Sequence, residues 1–351
     1  MAKILCVGPK SKPLTGQSYA FNAYVNNSSQ DIDVLYNSGG NKYLSPFIFM
    51  CSLLYKFVFF RYDVVYFTSS RTKVGFIRDF ILIILFSRKC KVINHLHGAD
   101  FIDFRESCCE RYQKIIDFTY GKVSSSIVLT KGMMEQYSKY PQMKIYTVPN
   151  FYEKESVGVE SNRLENLRNK SFKVIFLSNL IPEKGLVELI EAIVLLRTEK
   201  NHDVSLSIVG ADLGYNELSS YVRGSCNKYD YISYEGTLFR EEKAMVLSCS
   251  HFFVLPTYYP TEAQPISIIE GMANGCVIIT TEHNYLPELI SKKNGSLIKK
   301  KDIQALSVSL EGYFNDVNKI LNVSSYNREY ASIEFSIDAY INSLDVILSS
   351  T

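Results

Sequence analysis

Short runs rich in Val, Ile, Leu and aromatic residues recur along this chain, separated by stretches with apolar residues at helical spacing. In the first half the runs are KILCVG (3–8), DIDVLY (31–36), YDVVYFT (62–68), CKVINHLHG (90–98) and SSIVLT (125–130), with KIYTVPNF (144–151) at its end. A second series opens at FKVIFLSNL (172–180). It continues through VSLSIVG (204–210), ISYEGTL (232–238), FFVLPT (252–257) and CVIITT (276–281), with helical stretches such as GLVELIEAIVLLR and EEKAMVLSCS between them. Apolar runs without strict alternation mark strands covered on both faces, so the pattern predicts parallel sheets flanked by helices. Between the two series lies the polar stretch YEKESVGVESNRLENLRNKS, where a boundary is expected. The expected fold is α/β: two Rossmann-like, doubly wound domains facing a cleft. The expected divisions are 1–155, a linker at 156–170, a second domain at 171–335 and a terminal helix at 336–351. At 351 residues and 46% apolar content, the chain can bury two such cores.

The net charge of +2 gives no reason to expect nucleic acid, but the charge is uneven. Nine basic residues (Lys42, Lys56, Arg61, Arg71, Lys73, Arg78, Arg88, Lys89 and Lys91) face only Asp63 and Asp79 within the same segment. That segment also holds FIFMCSLLYKFVFF and FILIILF, too short to span a bilayer. One reading is a surface lying on an anionic membrane. The other is two buried helices with solvated lysines. Eight cysteines without a CxxC pair, and a start, MAKILCVGPK, that reads as a buried strand and not as a secretory signal, fit a reduced cytoplasmic setting.

In open α/β sheets ligands sit at the carboxyl ends of strands, so the strand-to-helix loops are the places to look for chemistry. PTEAQPISIIEGMANG follows FFVLPT and places Glu262 in a loop, Pro265 at a helix start and Glu270 inside the helix. The amides near Ala263, Gln264 and Ile266 would form an anion site at a helix N-terminus, with the two carboxylates gripping hydroxyls. The plain alternative is a dipole-favoured acid and a glutamate at the helix rim. Lys184, in LSNLIPEKG, could reach a phosphate as a point charge, although the helix dipole disfavours it there. His97 and His95, two apart in INHLHGADF, would share a face of a continued strand. Cleft-facing and structural roles both stay open for them, and no third metal ligand stands at a convincing spacing. There is no GxGxxG to support a nicotinamide cofactor, and the DID at 31–33 opens a strand where a metal–nucleotide motif would end one.

The second half resembles the retaining glycosyltransferases of GT-B fold in family 4, many of which build bacterial O-antigens, capsules and other surface polysaccharides. The matching stretches are LSNLIPEKGLVELIEAI, YEGTL, VLPTYYPTEAQPISIIEGMANGCVIITT and NGSLI; TGQS and HLHGAD match more loosely in the first half. The resemblance implies that Glu262 contacts the donor sugar, Glu270 the ribose and Lys184 the diphosphate. Pro265 and Ile266 then belong to the donor-binding turn with Ala263 and Gln264, Gly16 lets a loop approach phosphate, and His97 lies near the transferred sugar. Glu262, His97 and Lys184 are thus the expected catalytic residues. Two departures stand out: Asn179 replaces an expected arginine, with Arg240 as a possible substitute, and Gly16 stands where two glycines are usual.

The expected activity is metal-independent, retaining transfer of a sugar from a UDP-sugar to a polyprenyl-linked glycan in lipopolysaccharide or capsule synthesis. No cofactor is expected, and the enzyme would be peripheral on the inner face of the bacterial cytoplasmic membrane, with residues 1–155 docking there and binding the acceptor and residues 171–335 binding the nucleotide sugar. A nucleotide-sugar epimerase, a sugar phosphorylase and a non-catalytic nucleotide-sugar-binding protein are the alternatives, and the oligomeric state stays open.

Overall fold

The structure is a computed structural model that describes residues 2–11, 15–37, 45–159 and 163–350. Lys42 and residues 160–162 of the expected linker lie outside them. The chain forms two compact units, Met1–Asn150 with Asp338–Thr351, and Phe151–Ile337.

The first unit contains β1 (Lys3–Gly8), α1 (Gly16–Asn27), β2 (Asp31–Tyr36), α2 (Ser45–Phe59), β3 (Val64–Thr68), α3 (Lys73–Phe86), β4 (Lys91–Leu96), α4 (Phe101–Glu106), α5 (Glu110–Tyr120), β5 (Ser125–Val128) and β6 (Lys144–Thr147). Its six strands pair in parallel in the order β2-β1-β3-β4-β5-β6. β3 and β5 are buried at every position, as two-sided coverage requires.

The second unit contains α6 (Arg163–Arg168), β7 (Ser171–Leu177), α7 (Leu186–Thr198), β8 (Asp203–Val209), α8 (Asn216–Lys228), β9 (Ile232–Gly236), α9 (Arg240–Cys249), β10 (Phe252–Leu255), α10 (Ile266–Ala273), β11 (Val277–Thr281), α11 (Leu286–Leu289), β12 (Gly295–Ile298), α12 (Ile303–Phe314) and α13 (Val317–Glu334). Its parallel sheet runs β12-β11-β10-β7-β8-β9. Both units are thus Rossmann-like, and both reverse strand order beside their first strand, at β1/β3 and at β7/β10.

The last helix, α14 (Ile337–Ser350), buries Tyr340, Ile341, Leu344, Ile347 and Leu348. All five lie in the terminal segment that returns to the first unit. There Asp345 Oδ1 accepts hydrogen bonds from Tyr24 Oη (2.9 Å) and Ser28 Oγ (2.6 Å).

The two apolar runs of the first half behave differently. α3 buries Phe76, Leu82, Ile83 and Phe86. α2 instead exposes Phe47, Ile48, Leu54, Tyr55, Val58 and Phe59, which fall on one stripe at helical spacing, so the buried-helix reading does not hold for α2. The basic residues also divide. Lys56 pairs with Asp33 (2.6 Å), Arg71 with Asp100 and Arg78 with Asp79, all three mostly buried. Arg61, Lys73, Arg88, Lys89 and Lys91 are exposed. Two of the opposing acids, Asp33 and Asp100, come from outside the basic segment, which is why a charge count within it missed them. No helix among the described residues is long and apolar enough to cross a membrane.

Candidate functional site

β7 and β10 lie side by side where the second sheet reverses order, so the loops that follow them share one crevice edge. After β7 the chain makes a short turn, Pro182–Lys184, and enters α7 through Gly185 at φ 78°. A Cβ at Gly185 would stand 2.2 Å from Pro256 O, so only glycine lets this turn press on the end of β10. That contact carries Lys184 to the second loop.

Lys184 Nζ lies 2.5 Å from Glu262 Oε2, and both side chains are nearly buried. The same oxygen accepts a hydrogen bond from Thr257 Oγ1 (3.1 Å). The Tyr259 ring centroid is 4.8 Å from Lys184 Nζ, a cation–π contact. The turn bearing Glu262 is braced from the loop after β11. Asn284 Nδ2 donates to the carbonyls of Pro260 and Glu262, each at 2.9 Å, and His283 Nε2 bonds Tyr259 O at 2.8 Å. Burial lowers the His283 pKa, against the raising effect of the Tyr259 carbonyl. Tyr259, His283 and Asn284 were missed in sequence, because their loops meet only when β10 and β11 pair.

Ala263 and Gln264 are buried, Pro265 is the N-cap of α10, and Ile266 begins the helix, one residue later than the expected start. Ile268 N donates to Pro265 O (3.2 Å), while the amides of Ile266 and Ser267 have no intrahelical acceptor and can donate to an anion. Arg163 Nη1 donates to Asn274 O at 2.7 Å, placing a cation at the helix C-terminus, where the dipole favours it.

Glu270 does not join Glu262. It is 3% exposed, and its Oε1 lies 2.5 Å from Lys243 Nζ of α9. Burial raises its pKa, and Lys243 opposes the rise. The two glutamates are therefore neither a carboxylate pair nor solvated charges; each holds its own lysine. Lys243 was not foreseen, since nothing in REEKAMVLSC separates it from a surface lysine.

Asn179 follows β7, is exposed, and accepts a hydrogen bond from Ala211 N (3.3 Å) through Oδ1. Arg240 is exposed at the first position of α9, with φ 43°, and has no ion-pair partner among the described residues.

In the first unit, Gly16 opens α1, capped by Thr15, whose Oγ1 accepts from Ser18 N at 3.1 Å. His97 lies just past β4, its ring centroid 4.0 Å from that of His95. His95 Nδ1 bonds Tyr66 Oη (2.8 Å), while His95 Nε2 and both His97 ring nitrogens lack hydrogen-bond partners among the described residues. Burial, with Arg71 nearby, lowers the His97 pKa to about 3, and burial with His97 lowers that of His95, so both rings are neutral at pH 7. Among the described residues no group of three or more His, Cys, Asp or Glu could hold a metal ion.

Residues 160–330 match the family model described as glycosyl transferases group 1. The chain is 25% identical over 207 residues to the putative colanic acid biosynthesis glycosyltransferase WcaL of Salmonella typhimurium, covering 55% of this chain and 50% of that one. It is 24% identical over 232 residues to the amylovoran biosynthesis glycosyltransferase AmsK of Erwinia amylovora, covering 63% and 54%. The chain thus spans about half the length of the curated relatives it matches. The crystal structure of Anabaena HepE in complex with UDP aligns over 99% of this chain and 100% of that one, with a TM-score of 0.75 and 16% identity. The fold is that of the GT-B glycosyltransferase structures, two Rossmann-like α/β domains.

Proposed function

We propose that this chain is a retaining glycosyltransferase that moves a sugar from a UDP-sugar to a polyprenyl-diphosphate-linked glycan in surface polysaccharide synthesis. The carrying observation is the Lys184–Glu262 pair at the point where the second sheet reverses order. The match to group 1 glycosyl transferases covers this pair, and HepE is described in complex with UDP and with UDP-glucose.

Glu262 holds Lys184 in place before the donor arrives. The donor diphosphate then takes the ammonium, and Glu262 turns to hydroxyls of the sugar. As the glycosidic bond breaks, charge grows on the leaving diphosphate. Lys184 and the first-turn amides of α10 face that charge, so the stabilisation is electrostatic and already oriented. In this reading they do the work a metal does elsewhere. Glu270 accepts the ribose hydroxyls once Lys243 shifts, and His97, neutral, serves as a hydrogen-bonding group beside the transferred sugar. Gly16 lets the loop after β1 approach phosphate.

The chain would act as a peripheral protein on the inner face of the cytoplasmic membrane. The exposed α2 stripe and the exposed Lys73, Arg88 and Lys89 support this reading. The neutral Asn179 favours one second reading, a nucleotide-sugar-binding protein without turnover. Incubation with a panel of nucleotide sugars separates the two. Slow donor hydrolysis that is lost in Glu262→Ala is the expected result; binding without hydrolysis or transfer would sink the transferase reading.

A further inference from the structure

The chain leaves the first unit at Asn150, and the stretch that follows is fastened to the two helices that carry the Glu270–Lys243 pair. Asn274 is the main fastener. It caps α10 at its C-terminus and is buried. Its Nδ2 donates to Ser156 O (2.8 Å) and to Glu270 O (2.9 Å), and its Oδ1 accepts from Gly158 N (3.0 Å). A backbone amide can only donate and a carbonyl can only accept, so the orientation of the Asn274 amide is fixed by its partners. Asn274 N also donates to Glu270 O (3.1 Å). The backbone of Glu270 is thus tied, through one residue, to Ser156 and Gly158 of the entry stretch.

Further contacts hold the same stretch in place. A Cβ on Gly158 would stand 2.4 Å from the carbonyl oxygen of Ala244, the residue after Lys243 on α9, so a glycine lets the stretch lie against that helix. The buried Arg163 guanidinium donates through Nη1 to Asn274 O (2.7 Å) and through Nη2 to Gly275 O. Arg163 O accepts from His251 Nε2 (3.0 Å), and His251 Nδ1 accepts from Lys173 N of β7 (2.9 Å), so this anchor reaches the sheet. The stretch also faces Glu270 electrostatically. Burial raises the Glu270 pKa, Lys243 opposes the rise, and the Glu153 carboxylate adds to it.

An asparagine that only closed a helix would bond the helix's own last carbonyls. Asn274 bonds Ser156 and Gly158 as well, and Glu270 sits in the turn it closes. That turn cannot rotate without breaking the bonds to the entry stretch. We infer that Asn274 is a positioning residue, which uses the entry stretch to hold Glu270 of α10 against Lys243 of α9. The ligand this serves, the ribose of the donor, rests on the function proposed above; the positioning itself does not.

The test compares UDP with 2′,3′-dideoxy-UDP by calorimetry on the full chain. Wild type should bind UDP on the order of tenfold more tightly, the scale of one hydrogen bond to a charged group. Glu270→Ala should bind the two alike. Asn274→Ala, and separately Gly158→Ala, should cut the ratio about threefold or more by weakening UDP alone, part of that same hydrogen bond. A ratio taken on one variant does not depend on how much of the sample is folded, so lost stability cannot imitate the effect. A wild-type ratio in both variants would leave Asn274 a helix cap only and overturn the inference. Hydrogen exchange reads the coupling without nucleotide. Glu270→Gln weakens the pair, and coupling is reciprocal, so the Gly158 amide should exchange about fivefold faster or more while the amides of β8 keep their wild-type rates. An unchanged Gly158 rate would overturn the coupling. A wild type that does not prefer UDP, but whose Gly158 amide responds to Glu270→Gln, keeps the positioning and loses the ribose role of Glu270.

Discussion

The two units use the same construction and finish it differently. At β7/β10 the loops close on each other: Lys184 meets Glu262, Thr257 adds a hydrogen bond, and His283 and Asn284 brace the turn. At β1/β3 the described loop residues line a polar hollow, where Arg71 pairs with Asp100 and Arg78 with Asp79. A reversal point specifies where a ligand can sit, and the loop side chains decide what sits there. One unit holds a nearly buried lysine against a carboxylate. The other holds two guanidiniums, each paired with an aspartate.

The difference can be broken at several points. The largest effect belongs to Lys184→Ala, expected to lower the transfer rate about 100-fold or more, on the scale of removing one preorganised charge stabiliser. It should also weaken UDP binding, and unchanged UDP affinity by calorimetry would remove Lys184 from the diphosphate. Glu262→Ala should lose transfer as severely while melting near the wild-type temperature.

Next comes Lys243→Ala, which strands the buried Glu270 carboxyl. A loss of about 3 kcal/mol in urea denaturation is expected, with most of it recovered when Glu270→Leu is added to Lys243→Met. A single variant as stable as wild type would mean that Glu270 is already neutral.

Gly185→Ala should cost about 2 kcal/mol, because an alanine at φ 78° is strained and its Cβ meets Pro256 O. A smaller loss would show that the turn carrying Lys184 can shift.

A pH series probes the first unit. His97 has a folded pKa of about 3 against an ordinary value near 6.5, so the unfolded chain binds its proton first. Stability is full above about pH 6.5 and falls as the pH drops toward 3, by up to about 1.4 kcal/mol per pH unit for each histidine. His97→Gln should flatten that slope; a slope unchanged by the substitution would assign the acid sensitivity elsewhere.

The smallest effect concerns the lipid surface. Changing Lys73, Arg88 and Lys89 to Gln should weaken sedimentation with anionic vesicles by about 1 kcal/mol per charge. No change would leave the apolar stripe of α2 as the only support for docking.

Much of this was written in the chain. The alternation of apolar runs with helical stretches determined the two parallel-sheet units, because two-sided burial leaves a local mark in composition. The placement of Glu262 and Lys184 in strand-to-helix loops was equally local, since Pro265 and Gly185 punctuate those loops. Pairing was not local. Glu262 and Glu270 share one short stretch, yet each found a lysine from a different element. Asp33 and Asp100 neutralise cations that a count within residues 42–91 left bare. Tyr259, His283 and Asn284 meet only when β10 and β11 lie side by side. α2 and α3 looked alike as apolar runs, and packing exposed one and buried much of the other. Strand and helix follow from periodicity along the chain, whereas ion pairs and cavities depend on which loops the strand order brings together. That order is set by the packing of the whole sheet, and it decided which loops and side chains meet at each reversal point.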